Sequence, residues 1–175
     1  MIEKTPWIER RFAFDLPVSM FPNLLERVRG TPARVEDRVR GLSPQLLVAR
    51  AGEKWSIQEH VGHLLDLELL WIGRLDDFDA GAEVLRAADM SNRKTHEADH
   101  NRRTLAEILA RLREVRAGMV ARLEAMDARA AARTARHPRL DQPMRVMDLV
   151  VFVAEHDDHH LARISEIIAT QGAAR

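Results

Sequence analysis

The chain has 175 residues, 46% of them hydrophobic, which is enough for one sizeable core and predicts a single domain over residues 1–175. Lys plus Arg and Asp plus Glu both number 27, so no net field favours nucleic acid or an anionic membrane, and neither is expected as a partner. With no cysteine, the sequence excludes disulfides, thiolate metal sites and a cysteine nucleophile, and any metal ligands must be His, Asp or Glu.

The N-terminal stretch "MIEKTPWIERRF" carries charges where a signal peptide needs an apolar run, and no segment approaches the ~20 apolar residues of a membrane span. The expectation is a soluble, cytoplasmic protein. A first helix is predicted from about Val18 to Val28 or slightly beyond, with Met20, Leu24, Leu25 and Val28 at helical spacing, ending at "RGTP", where Gly30 and Pro32 break it. "RVEDRVRGLSPQLLVARAGEK" follows as a long structured linker with room for a short helix, punctuated by Gly41, Pro44 and Gly52.

Ser56 with Glu59 three residues on forms a capping-box pattern that starts a second helix, running to about Phe78. Its apolar residues lie nearly all round the cylinder. That distribution fits either a central position in the fold or a homodimer face. Asp79 to Arg103 is polar and aperiodic, a long connection that can hold a short helix. A third helix is predicted over Thr104 to Met126, from Leu105, Ile108, Leu109, Leu112, Val115, Met119 and Leu123. The Ala/Arg run Ala128 to Ala135 reads as a frayed or solvated end, and "HPRLDQP" as a loop. A fourth helix spans about Met144 to Thr170, with Gly172 as its stop. No strand is expected. The prediction is an all-α four-helix bundle with a long crossover connection between the second and third helices, which would run parallel, leaving the fourth antiparallel to the second.

His156 and His160 project from nearly one side of the fourth helix at ~100° per residue, in the stripe shared with Leu149, Val153, Ile164 and Ile167. Imidazoles buried there need partners for their nitrogens, either a metal ion or neighbouring carboxylates. His63 lies two turns into the second helix, so in an antiparallel pairing all three rings can converge. The strongest apolar stripe of its helix, through Val61, Leu65 and Ile72, lies roughly opposite His63, but Leu67, Leu70 and Trp71 make the other side apolar too.

"WSIQEHVGHLLDLE" and the downstream "EHDDHHLARI" resemble the DinB/YfiT-like superfamily, and "PWIERRFAFDLP", "ERVRGTPAR" and "NRRTLAEIL" extend the resemblance over most of the chain. Members of that superfamily are four-helix bundles with a three-histidine metal site. The resemblance implies ligands at His63, eight residues after Trp55 of the "WS" motif, and at His156 and His160 of the C-terminal HxxxH. It further implies a divalent metal, zinc or nickel, and relatives that use low-molecular-weight thiols in S-transfer and isomerisation.

"THEADHN" contains a rival pattern, His96-Glu97-x-x-His100, the spacing of a zinc-protease helix. That chemistry needs a buried helix, and "SNRKTHEADHNRR" offers no apolar face, so the segment reads as a solvated loop, or as a cover over the bundle mouth with His96, Asp99 or His100 touching substrate. His60 and His159 read as neighbours of the site or as surface groups. Asp157 and Asp158 read as groups that orient an imidazole or as a wet helix face. Glu68 reads as an ion-pair partner or a general base, Trp55 and Trp71 as core or pocket wall, and His137 as a loop residue. Two functions follow. One is a metal-dependent S-transferase or hydrolase acting on a small-molecule substrate, with any thiol supplied from outside. The other is a non-catalytic metal-binding, stress-response or binding module.

Overall fold

The structure, a computed structural model, describes residues 4–171; the predicted stop at Gly172 lies outside the described residues. Single 3-10 turns at Trp7–Glu9 and Val18–Met20 lead into α1 (Phe21–Arg29), α2 (Thr31–Val39) and α3 (Pro44–Val48). α4 (Ile57–Asp79) is followed by α5 (Arg93–Glu97), a 3-10 turn at His100–Arg102 and α6 (Leu105–Glu124). α7 (Ala128–Ala131), β1 (Thr134–His137) and β2 (Gln142–Arg145) precede α8 (Val146–Gln171). The protein is a four-helix bundle, and α4 and α6 begin where the sequence supplies caps. The Ser56 hydroxyl accepts from Glu59 N at 3.1 Å, and the Glu59 carboxylate accepts from Ser56 N at 2.9 Å. Thr104 and Glu107 repeat the device at the start of α6.

α1 ends at Arg29, just before Gly30 and Pro32, as the sequence predicts, but the linker that follows departs from expectation. Gly30 keeps right-handed helical angles (φ −73°, ψ −13°), and α2 starts at once with Pro32 in its first turn, where a missing N–H leaves no bond unmade. The linker is therefore largely helical. The expectation of no strand fails at residues 134–145, where β1 and β2 pair antiparallel in the register Thr134 to Arg145 and His137 to Gln142. Four-residue strands with only two inward side chains on β1, Ala135 and His137, are too short to show a period, and Pro143 is tolerated because the ribbon has only edges.

Cross-helix contacts fix the directions. Gln58 donates to Arg103 O, Arg116 pairs with Glu68 and Arg122 with Asp76, so α4 and α6 rise together, and residues 80–104 must travel back along the bundle. His63 meets His160 and Trp71 meets Phe152, so α8 runs against α4. The apolar core is divided in two. One cluster gathers α1, the later half of α4 and the start of α8, and the other gathers α2, α3, the earlier half of α4 and the end of α8.

Between them lies a buried polar layer. Arg116 donates to Glu68 Oε1 at 2.9 Å, to Asp157 Oδ2 at 2.6 Å and to Val28 O at 3.0 Å, and Thr31 donates to Asp157 at 2.7 Å. Arg116, Glu68 and Asp157 are each at most 1% exposed. Burial pushes Glu68 up, partly offset by Arg116. Arg116→Met leaves two buried carboxylates without their cation and is expected to lower unfolding free energy by about 3–5 kcal/mol in urea titration. A loss below about 1 kcal/mol would show that this layer does not hold the bundle.

Candidate metal centre

α4 supplies His63 and α8 supplies His156 and His160, and because the helices oppose each other the three buried rings face one another. Ring centroids are 4.7 Å apart for His63 and His160, 5.3 Å for His63 and His156, and 4.5 Å for His156 and His160. One nitrogen from each lies within 4.8 Å of the others, a grouping that could hold a metal ion. His156 Nε2 and His160 Nε2 are 3.2 Å apart, and His156 Nδ1 is buried without a partner. The rings converge on one another rather than on carboxylates, a donor set that suits a divalent transition-metal cation. Burial pushes His63 down to about 3 and His156 and His160 well below the ordinary imidazole value, so all three are neutral with a lone pair available.

The tautomer of His63 is fixed from outside the cluster. Thr95 donates its hydroxyl proton to Asp66 Oδ2 at 2.9 Å, so its oxygen can only accept from His63 Nδ1, also at 2.9 Å, which leaves His63 Nε2 as the bare nitrogen. His100 Nε2 donates to the same Asp66 oxygen at 2.8 Å. Burial opposes ionisation of Asp66, but hydrogen bonds from His100 and Thr95 hold it below the usual carboxylate value. His60 Nδ1 and His160 Nδ1 are 2.9 Å apart; with His160 donating there, its Nε2 is free as well.

The His96-Glu97-x-x-His100 pattern is therefore not a metal helix. α5 ends at Glu97, Asp99 turns the chain with φ 46°, and the two histidines separate, His96 exposed and His100 buried on Asp66. The segment is no solvated loop either. Thr95 and His100 are buried, and His100 packs over Gly62, where a Cβ would come within 2.2 Å of its ring. Asp99 lies at the surface beside Arg102. Glu68 is held by Arg116, Asp157 by Arg116 and Thr31, and Asp158 by Arg27 and Arg34, so none of these carboxylates holds an imidazole. His159 Nδ1 stands 3.4 Å from Arg10. Sequence reasoning missed Asp66 and Thr95. Asp66 lies one turn after His63 on the same helix side, which was a readable signal, whereas Thr95 is close only in space.

A cavity of ≈940 Å³ opens over the three histidines, with Trp7, Trp55, Trp71, Leu67 and Phe152 in its walls and residues 87–90 along one side. Its size is in the range of small-molecule sites. No helix among the described residues is long and apolar enough to cross a membrane.

The sequence matches the family model of the DinB superfamily over residues 27–164. The chain belongs to the DinB superfamily. Among solved structures of this fold, YfiT from Bacillus subtilis, described as a probable metal-dependent hydrolase with an unusual four-helix bundle topology, has a TM-score of 0.77 at 19% identity, covering 94% of each chain. The colibactin self-resistance protein ClbS, in complex with dsDNA, has a TM-score of 0.65 at 14% identity over 84% of this chain and 94% of its own. A protein from Streptococcus pneumoniae has a TM-score of 0.63 at 13% identity over 83% of this chain and 88% of its own. At these identities the likeness is one of fold. No curated protein matches the chain.

ClbS corrects the expectation that nucleic acid is no partner. A four-helix protein of this superfamily fold is found on dsDNA, and net charge averages over all faces while DNA is met by one, so neutrality of the whole chain does not set nucleic acid aside.

The depressed imidazole values predict how the metal-free protein responds to acid. Between the unfolded value near 6.5 and His63's value of about 3, the unfolded chain binds protons that the folded chain refuses, so stability falls as pH falls. Each such imidazole contributes a slope of about 1.4 kcal/mol per pH unit in that window. In thermal melts of chelated protein, each such imidazole should lower Tm by roughly 3–6 °C per pH unit below pH ~6.5. A flat profile from pH 7 to pH 5 would contradict the buried neutral state.

Proposed function

We propose that His63, His156 and His160 hold a divalent metal through their Nε2 atoms and that the protein is a metal-dependent hydrolase of a small-molecule substrate bound in the cavity above them. The observation that carries this reading is three buried neutral imidazoles, unpaired with carboxylates, in the wall of an open cavity rather than a closed core. A divalent ion there supplies Lewis acidity and lowers the pKa of a water or thiol that reaches it. Asp66 and Thr95 keep the proton of His63 on Nδ1, and His60 can do the same for His160. The tryptophan and phenylalanine walls pack the body of the substrate.

S-transfer from a low-molecular-weight thiol is the second reading. It is supported by a cavity roomy enough for two small molecules and by a chain that, lacking cysteine, must take any thiol from outside. Zinc and nickel both suit three imidazoles.

Elemental analysis of protein purified without added metal tests the ligand set. Single His63→Ala, His156→Ala and His160→Ala variants should retain little metal, while His96→Ala retains the wild-type amount. His100→Ala should bind about 10–100-fold more weakly, because it removes support from Asp66, yet still fill at saturation. Equal loss in His96→Ala would overturn the assignment. Chelation distinguishes a catalytic metal from a structural one. It should abolish hydrolysis or thiol transfer with only a modest thermal shift, whereas collapse of the fold with no activity under metal-replete conditions would favour a binding module.

A further inference from the structure

Outside the histidine cluster, three hydrogen-bond donors in the cavity have no acceptor among the described residues, and together they form a site the metal does not use. Arg74 is 1% exposed; its Nε donates to Arg86 O at 3.2 Å, and its Nη1 is buried with no partner. Arg139 donates from Nη1 to Ile8 O at 2.9 Å, and its Nη2 is likewise buried and unpartnered. His137 Nδ1 accepts from Leu140 N at 3.1 Å, so its single proton sits on Nε2, which is buried with nothing to donate to. Burial, opposed by no carboxylate bonded to either, pushes Arg74 down to about 10 and lowers Arg139.

These three groups share one end of the cavity. Phe152 packs with the His137 ring at 4.9 Å and lies under the Arg139 guanidinium at 5.6 Å, while Arg74 lies over Trp71 at 5.5 Å. Trp71 and Trp7 also touch His156, at 5.6 and 5.1 Å, and Arg139 lies over Trp7 at 5.9 Å. The tryptophans thus connect the donors to the histidine cluster. No local carboxylate completes them. Asp77, the acid nearest in effect to Arg74, is engaged by the side chain and N–H of Arg86. Asp89 is engaged by Ser91 and Arg93 N, and Glu166 by Lys4 and Arg163.

Three N–H groups, each buried and without an acceptor, two of them on cationic guanidiniums, are costly unless an anion joins them. We infer that Arg74, Arg139 and His137 form an oxyanion subsite, and that the substrate is an organic anion whose carboxylate or phosphoryl group docks there while its apolar body lies along Trp7 and Trp71 toward His63, His156 and His160. The orientation of the reacting bond rests on the metal-site reading above; the subsite itself does not.

Calorimetric titration of benzoate and of phenyl phosphate into metal-replete and into chelated protein tests the inference. Saturable binding is expected in both forms, weakened at least about tenfold in Arg74→Met and in Arg139→Met and unchanged in the exposed-surface variant Arg111→Met. The tighter of the two ligands distinguishes carboxylate from phosphoryl recognition. Arg74→Lys, which keeps the charge without the fork, should retain part of the affinity and serves if Arg74→Met fails to fold, as its melting profile will show. Binding that stays within about twofold of wild type in the folded arginine variants, binding that vanishes on chelation while indifferent to the arginines, or no binding of either compound would each overturn the subsite. Because the decisive arm is the chelated protein, loss of the metal reading alone would leave this result standing.

Discussion

Arg116 is the cation on which the bundle closes. From the middle of α6 it reaches Val28 O at the end of α1, Glu68 on α4 and Asp157 on α8, and Asp157 in turn accepts from Thr31 at the start of α2. Apolar packing alone is tolerant of sliding, since one turn of Leu, Ile and Val resembles the next. A buried guanidinium with fixed acceptors is not, because a shift of one turn would leave charges unpaired at a cost of several kcal/mol. The two apolar clusters lie on either side of this layer, and the junction of α1 with α2 falls at its level, where Val28 O and Thr31 are both used.

The same layer sets the register of the histidines. Glu68 lies five residues after His63, and Asp157 directly follows His156, so anchoring Glu68 and Asp157 on one arginine brings His63 level with His156 and His160. Consecutive residues of α8 face different neighbours. His156 and His160 face α4 and the cavity, Asp157 faces Arg116 on α6, and Asp158 faces Arg27 and Arg34 on the first arm. "EHDDHH" is dense with polar residues because a helix packed on several sides needs a different partner for each.

Much of this was legible in the sequence, for identifiable reasons. Capping boxes and long apolar periods mark the major helices within a few residues, since both depend on short-range spacing. The convergence of His63, His156 and His160 follows from helix phase and the antiparallel pairing of α4 with α8. What was hidden depends on distance along the chain. Thr95, held as a helical turn among polar neighbours, looks like loop until Asp66 and His63 are placed against it. His100 reads as half of a protease motif until Asp99, with its positive φ, turns it away from His96 and into the space above Gly62. The β1–β2 ribbon, too short for a period, puts His137 into the cavity from what looks like a proline-bounded loop.

Balanced composition is the feature that misleads most. Equal numbers of basic and acidic residues suggest a protein with no preference for charge, and at the surface many of them do meet in pairs, as Arg122 does with Asp76 and Asp79. Such exposed pairs contribute little and say little about ligands. Buried charges say more, because each must be matched or remain costly. Within the bundle Arg116 is matched by Glu68 and Asp157, and Asp66 by His100 and Thr95. Among the described residues no carboxylate bonds to the buried Arg74 or the half-buried Arg139, and they stand where Trp7 and Trp71 lead toward the histidines. A cavity whose internal charge is unbalanced, inside a chain that is balanced as a whole, draws its complement from the ligand it holds.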